Sequence, residues 1–310
     1  MSLLAAGGTI SMTAERGAGA TPALDGAALA AAAGVEVSAS TIASRPSVHL
    51  TFADALEIAR AAVAEAGRGA GVVVTTGTDT MEELAVLCDA VNGADRPVVF
   101  TGAIRTASAA SADGPANLAD AVAVAAQAPG GTYVAFGGEV HAAREVRKAD
   151  STSPLAFASP RTGPLGYVTE GRVSLHAPAP RSEPLAVERT DLYVPIVPTW
   201  LGDDGRLLRA ALGLRPDGLV LVALGAGHVS PAVLGELAVA ACPVAVTVRP
   251  ERGAMLRSTY GFEGAEGDVL ATGAIPAATR SPQAARVLLV AALGAGLRGD
   301  ALAAAAGDPA

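Results

Sequence analysis

Short apolar runs alternating with helical-period segments predict an α/β protein. The expected architecture is a larger N-terminal, mainly parallel sheet flanked by helices, followed by a smaller C-terminal α/β domain. Three observations carry this. Val72-Val73-Val74 is β-branched and free of charge, as in a strand covered on both faces. Met81, Leu84, Ala85, Cys88 and Val91 directly after it fall on one helical face. A Pro-rich stretch, Ala177-Pro178-Ala179-Pro180-Arg181-Ser182-Glu183-Pro184, then interrupts the pattern before it resumes. The domains are therefore expected at 1–176 and 191–310, joined by a linker over 177–190.

In order along the chain, Leu3 to Ala6 reads as a strand ending at Gly7-Gly8-Thr9-Ile10. Paired glycines there allow backbone N–H groups to face a ligand, although a plain tight turn would use them too. Met12 to Asp25 reads as a mobile loop long enough to be a lid. Ala27 to Ala33 predicts a helix and Val35 to Val37 a strand. Thr51 with Asp54 makes a capping box for a helix to Ala66. The valine strand then stops at Thr75-Thr76-Gly77-Thr78-Asp79-Thr80. Thr80 with Glu83 fits a second capping box, and Glu82 and Glu83 suit the helix dipole. A cap needs one polar side chain, so the surplus hydroxyls and carboxylate at the end of a parallel strand point to a ligand site.

Arg96 to Phe100 and Thr132 to Phe136 are further strands, with a helix between them capped by Asp113 and carrying Pro115 in its first turn. Ala143 to Ser151 is charged and aperiodic and reads as a solvated loop; Gly163 to Val173 reads as a hairpin. In the second domain Leu192 to Ile196, Leu219 to Leu224 and Val244 to Val248 are expected strands. Leu207 to Leu212 and Val233 to Ala240 are expected helices, and Ser281-Pro282 opens a closing one.

Bulk properties narrow the chemistry. A chain of 310 residues with 51% hydrophobic content can bury a large core. The net charge of −8 and 3% aromatic content argue against nucleic acid, which needs clustered cations or stacking rings, and favour a small substrate. No leader is visible at Met1-Ser2-Leu3, and no segment approaches the ~20 apolar residues of a membrane span, so a cytoplasmic, membrane-free protein is expected. Cys88 and Cys242 read as buried free thiols, and His49, His141, His176 and His228 lack ligand spacing, so no metal is expected. Gly225-Ala226-Gly227-His228 lacks the third glycine of a dinucleotide fingerprint, and no Gly-x-Ser-x-Gly elbow occurs.

Threonine needs an activating neighbour to act as a nucleophile. Thr9 and Thr78 end different strands, Asp79 adjoins the second, and Lys148 is the chain's only lysine. With Lys148 beside Asp79 and Thr78, the carboxylate would orient the ammonium and the lysine would manage a proton. A lone lysine is otherwise commonly a surface residue.

These blocks together resemble the bacterial L-asparaginase family, the asparaginase/glutaminase group that uses a threonine nucleophile. The matching residues are Gly7-Gly8-Thr9-Ile10, Thr76-Gly77-Thr78-Asp79-Thr80-Met81-Glu82-Glu83 and Thr101-Gly102-Ala103-Ile104-Arg105. They continue with Ser111-Ala112-Asp113-Gly114-Pro115-Ala116-Asn117-Leu118, Ala143-Arg144-Glu145-Val146-Arg147-Lys148 and Gly163-Pro164-Leu165-Gly166-Tyr167, all in family order. The second domain matches more loosely.

The resemblance implies cofactor-free hydrolysis of L-asparagine to L-aspartate and ammonia. It implies Thr9 as nucleophile and Thr78, Asp79 and Lys148 as a second catalytic group. Ser44 would hold the substrate α-carboxylate, Asp79 its α-amino group, and the Ala103 carbonyl would receive the amide nitrogen. Backbone N–H groups near Thr9 and Thr78 would stabilise the oxyanion. It further implies a homodimer or homotetramer in which a neighbouring subunit's smaller domain completes the site, with Glu266 the candidate glutamate.

Three departures stand out. The family's lid tyrosine is missing between Met12 and Asp25, leaving Thr13, Thr21 or water to support Thr9. Arg45 replaces the more typical glutamine, and His228 stands where a partner asparagine is common. These touch substrate fit, so glutaminase or dual activity is the near alternative, and a non-catalytic amino-acid-binding protein the distant one. Transamidation on charged tRNA is disfavoured by the acidity and by the lack of an appended RNA-binding region.

Overall fold

The computed structural model describes residues 1–14 and 19–308, and the chain divides into two compact units, Met1–Pro184 and Leu185–Ala310. The first is built on an eight-stranded sheet. Its elements begin with β1 (Ser2–Ala5), a small antiparallel pair β2 (Met12–Thr13) and β3 (Thr21–Pro22), α1 (Gly26–Ala33) and β4 (Ser38–Thr41). Next come α2 (Phe52–Ala66), β5 (Val72–Thr75), α3 (Met81–Val91), β6 (Pro97–Thr101), α4 (Gly114–Gln127) and β7 (Gly131–Phe136). The unit ends with β8 (Glu139–Ala142), a two-stranded β9 (Arg147–Lys148) and β10 (Phe157–Ala158), and the hairpin β11 (Gly166–Thr169) and β12 (Arg172–Leu175).

Strand order in the sheet is β12-β11-β8-β7-β6-β5-β1-β4, with β4, β1, β5, β6 and β7 parallel and the remainder antiparallel. The chain leaves β1 for β4 on one side and returns across β1 to β5 on the other. The loops after β1 and β5 thus diverge at a topological switch point, the crevice where open parallel sheets hold ligands. Alternate side chains explain the two buried faces. Leu3, Ala5, Val73, Val99 and Tyr133 join Leu29 of α1 and Leu118 of α4 in one core, while Leu4, Val72, Val74, Val98 and Phe100 are buried on the other face.

Local chemistry sets several boundaries. Asp25 caps α1 by accepting from Ala28 N (2.8 Å), and the box of Thr51 and Asp54 opens α2 as expected. The strand expected at Val35–Val37 instead begins at Ser38. Gly34 takes the left-handed conformation and Val35 N bonds back to Ala30 O (3.1 Å), so those residues finish the helix turn while their valines pack on the core. Thr80 does not close the second capping box. It stands at the N-cap of α3 with no side-chain cap, and its hydroxyl faces Ser47 O at 3.4 Å.

Ala143 to Ser151 is not simply a solvated loop. Ala143 and Val146 are buried, Arg144 pairs with Asp89, and Arg147–Lys148 form β9. The Pro-rich stretch lies on the first unit, where Ala179 N donates to Tyr133 Oη (3.2 Å) and Arg181 donates to Ala94 O (3.0 Å).

The second unit has a four-stranded parallel sheet, order β13-β14-β15-β16. Its elements are β13 (Ile196–Pro198), α5 (Arg206–Gly213), β14 (Leu219–Ala223), α6 (Pro231–Ala238), β15 (Val244–Val248), α7 (Glu266–Ala271), β16 (Ile275–Pro276), α8 (Pro282–Gly294) and α9 (Gly299–Ala306). Ser230 and Ser281 cap α6 and α8, each followed by proline. The strand expected from Leu192 starts only at Ile196, because Tyr193 is tied to Asp217 through both its N–H and its carbonyl, each at 2.9 Å. Among the described residues no helix is long and apolar enough to cross a membrane.

Candidate active site

The crevice between β1 and β5 collects the N-terminal motifs. Gly7 and Gly8 have φ of +88° and +92°, values that disfavour any other residue. A Cβ on Gly8 would stand 2.3 Å from Gly77 N, and one on Gly7 would stand 2.6 Å from Arg45 O. The backbone after β1 therefore lies directly between the segments carrying Ser44–Arg45 and Thr76–Thr78. Thr9 follows as the first residue of a 3-10 turn, half-buried, with the turn closed by Ser11 Oγ donating to Gly8 O (2.9 Å). The next tip packs equally close: a Cβ on Gly102 would meet Thr76 O at 2.6 Å, with the Thr78 methyl at 3.4 Å.

Thr78 is buried, and Lys148 from β9 reaches it. The ammonium donates to Thr78 Oγ1 at 2.9 Å and to Asp79 Oδ1 at 2.6 Å. The lysine side chain is 18% exposed whereas that of Asp79 is 62% exposed, so the carboxylate offers its outer side to solvent. A hydroxyl with an ammonium behind it and a carboxylate orienting that ammonium can exchange a proton with a bound substrate.

Ala103 is buried just past β6. Its loop is fixed by Asp113, which does not cap α4 with its side chain but accepts from Ile104 N (3.0 Å) and Arg105 N (2.9 Å). Asn117 adds bonds from its amide to Gly102 O (3.0 Å) and from Gly137 N to its oxygen (3.0 Å). Ser44 is exposed beside the crevice. Arg45 contributes backbone there, but its guanidinium turns to Asp54 of α2 (3.4 Å), at a cleft of about 220 Å³ that also takes in Glu57 and Ile58.

The loop expected at Met12–Asp25 is partly strand: β2 and β3 pair at its ends, and Ala107 N bonds Met12 O at 2.9 Å. Glu15, Arg16, Gly17 and Ala18 lie outside the described residues. Thr13 and Thr21 face each other across the pair.

In the second unit His228 stacks edge-on against Tyr260 and Phe262, with ring centroids 5.0 and 5.1 Å away, and both of those rings are about half exposed. Glu266 is the residue expected from the resemblance to complete a neighbouring copy's site. It is fully buried within its own unit, accepting from Thr259 N (2.5 Å) and Tyr260 N (2.9 Å), with His228 Nε2 at 3.2 Å from its other oxygen. Burial pushes its carboxyl pKa up, but the Tyr260 and Thr259 amides and His228 pull it below the ordinary value. Through Oε1 it holds the Thr259–Tyr260 backbone beside His228.

Glu82 and Asn117 carry structural roles that sequence reasoning did not assign, although both lie inside the quoted motifs. Glu82 accepts from Lys148 N at 2.6 Å, and burial raises its carboxyl pKa against that bond. An acid in a helix's first turn gave no sign of an amide partner so distant in sequence.

Comparisons with known proteins agree across both units. A family model described as Asparaginase, N-terminal, matches residues 1–181, and one described as Glutaminase/Asparaginase C-terminal domain matches residues 193–305. The chain is similar to a "Probable L-asparaginase" of Deinococcus radiodurans, 37% identical over 307 residues, covering 96% of this chain and 93% of the relative. It is 35% identical to "L-asparaginase 2" of Escherichia coli over 232 residues, 72% of this chain and 66% of that protein. Among solved structures, the thermostable L-asparaginase from Thermococcus kodakarensis superposes with TM-score 0.85 at 25% identity, covering 94% and 92% of the two chains. A probable cytoplasmic L-asparaginase from Campylobacter jejuni does so with TM-score 0.81 at 32% identity, covering 94% of each.

Proposed function

Since this chain belongs to the asparaginase family, we propose that it hydrolyses the side-chain amide of L-asparagine to L-aspartate and ammonia with Thr9 as nucleophile. The observation that carries the reading is Lys148 Nζ lying between Thr78 Oγ1 and Asp79 Oδ1, at the strand tip adjoining the one that ends in Thr9. Thr9 Oγ1 attacks the amide carbon, the C–N bond breaks, and ammonia leaves with the proton the hydroxyl gives up. Water then cleaves the resulting ester to free aspartate and restore Thr9. In this reading Thr78, with Lys148 behind it, handles the proton of the attacking water, and Asp79 keeps the ammonium aligned. Backbone N–H groups at the β1 and β5 tips receive the oxyanion, a contribution of typically about 3 kcal/mol per donor.

Ser44 and Asp79 bind the α-carboxylate and α-amino groups, and the Ala103 carbonyl receives the amide nitrogen. The exposure of Ser44 and of Asp79 supports a site closed by a neighbouring copy in a homodimer or homotetramer, with Glu266 and His228 of its smaller domain as the proposed contributions. A cytoplasmic location is part of the same proposal and follows the likeness to the Campylobacter protein.

The test is ammonia release from asparagine and glutamine side by side. Thr9→Ala and Thr78→Ala should each abolish it with the fold intact; full activity in either overturns the assignment. A kcat/KM favouring glutamine would convert the reading to glutaminase. The lack of a tyrosine in Met12–Asp25 favours one other reading, a non-catalytic amino-acid binder. That reading requires aspartate to raise the Tm while wild-type protein releases no ammonia.

A further inference from the structure

Lys148 carries its ammonium on a flexible four-carbon stem, so its aim depends on how firmly its backbone is held. β9 is two residues long and pairs with β10 on one side, where Ala149 N and Asp150 N bond Ala156 O at 2.7 and 3.1 Å. The Lys148 N–H serves the other edge, and there it donates to Glu82 Oε2 at 2.6 Å. Glu82 lies in the first turn of α3, in the same segment as Thr78 and Asp79. One short segment therefore grips the lysine twice: Thr78 and Asp79 hold the ammonium while Glu82 holds the main chain.

We infer that Glu82 is a positioning residue whose carboxylate takes the place of a neighbouring strand at the open edge of β9 and fixes the point from which Lys148 reaches Thr78 and Asp79. A first-turn acid serving only the helix dipole would have no need of a main-chain amide 66 residues away, and Glu83 beside it also stands in that first turn. Burial raises the Glu82 carboxyl pKa, with Glu83 adding to the rise, while the amide of Lys148 and the charges of Arg147 and Lys148 oppose it. The kinetic part of the inference rests on the proposed amidohydrolase reading; the structural part does not.

Because Lys148 is the only lysine, protein grown with 13C-labelled lysine gives a single Cε signal that reports its order. Glu82→Met fills the same space without an accepting atom, Glu82→Ala removes the side chain, and Glu82→Gln keeps an acceptor. Met and Ala are expected to make the two Cε protons equivalent and the signal as narrow as a mobile lysine's. They should also lower kcat on asparagine by roughly 10- to 100-fold with KM nearly unchanged, the scale of a misplaced catalytic group. Gln should keep the wild-type signal and most of kcat. An unchanged Cε signal in both folded Met and Ala variants overturns the inference, as does a Gln variant as impaired as they are. If wild-type protein releases no ammonia, the function reading fails while the Cε signal still decides whether Glu82 holds the lysine.

Discussion

At the scale of single residues, the site depends on groups whose partners lie far away in sequence. Lys148→Met should retain the fold, since its stem is mostly covered, but lose at least about 100-fold in kcat on asparagine, the usual worth of a positioned proton carrier. A second residue governs acid stability. His141 is fully buried, with Ser159 Oγ at 3.0 Å from Nδ1 and Glu139 Oε2 at 3.3 Å from Nε2, and burial lowers its pKa to about 4. Between pH 6.5 and 4 the unfolded chain binds the proton that the native imidazole refuses. The neutral histidine therefore contributes full stability above pH 6.5 and loses it as pH falls, by up to about 3 kcal/mol. Urea midpoints measured across that range should drop in wild type and drop less in His141→Asn. A shallower slope in wild type than in the variant would contradict the assignment.

At the scale of elements, strand ends matter more than strand middles. Gly8→Ala combines a φ of +92° with a Cβ 2.3 Å from Gly77 N, so it should destabilise the first unit by more than about 2 kcal/mol and part the Thr9 and Thr78 tips. Denaturant unfolding with an unchanged m-value checks the first outcome and ammonia release the second. By contrast Thr51→Ala, which removes one half of the capping box of α2, should cost about 1 kcal/mol and leave kcat unaltered. The capping signals were legible for α1, α2, α6 and α8, where cap and helix are sequence neighbours. They misled at Thr80 and Asp113. There the polar side chains answer backbone groups of other segments, Ser47 for one and Ile104 and Arg105 for the other.

At the scale of the whole molecule, each unit has its own sheet and core, and the proposed chemistry draws residues from both. If His228 acts in a neighbour's site, His228→Ala should lower kcat/KM on asparagine while Thr9→Ala is inactive. Unfolding and refolding the two variants together should yield hybrids with more activity than the two separate preparations averaged. Activity no greater than that average would place His228 outside the reaction.

What the sequence alone determined was the alternation of strands and helices, the Gly-Gly-Thr and Gly-Thr-Asp-Thr tips and the single lysine, because periodicity, turn chemistry and residue scarcity are local properties. Only the tertiary structure decided that β1 stands between β4 and β5, that Glu82 meets the Lys148 amide, and that Glu266 faces inward. Those outcomes follow from which strands pair and which polar groups burial obliges to find partners, and both are settled between segments distant along the chain.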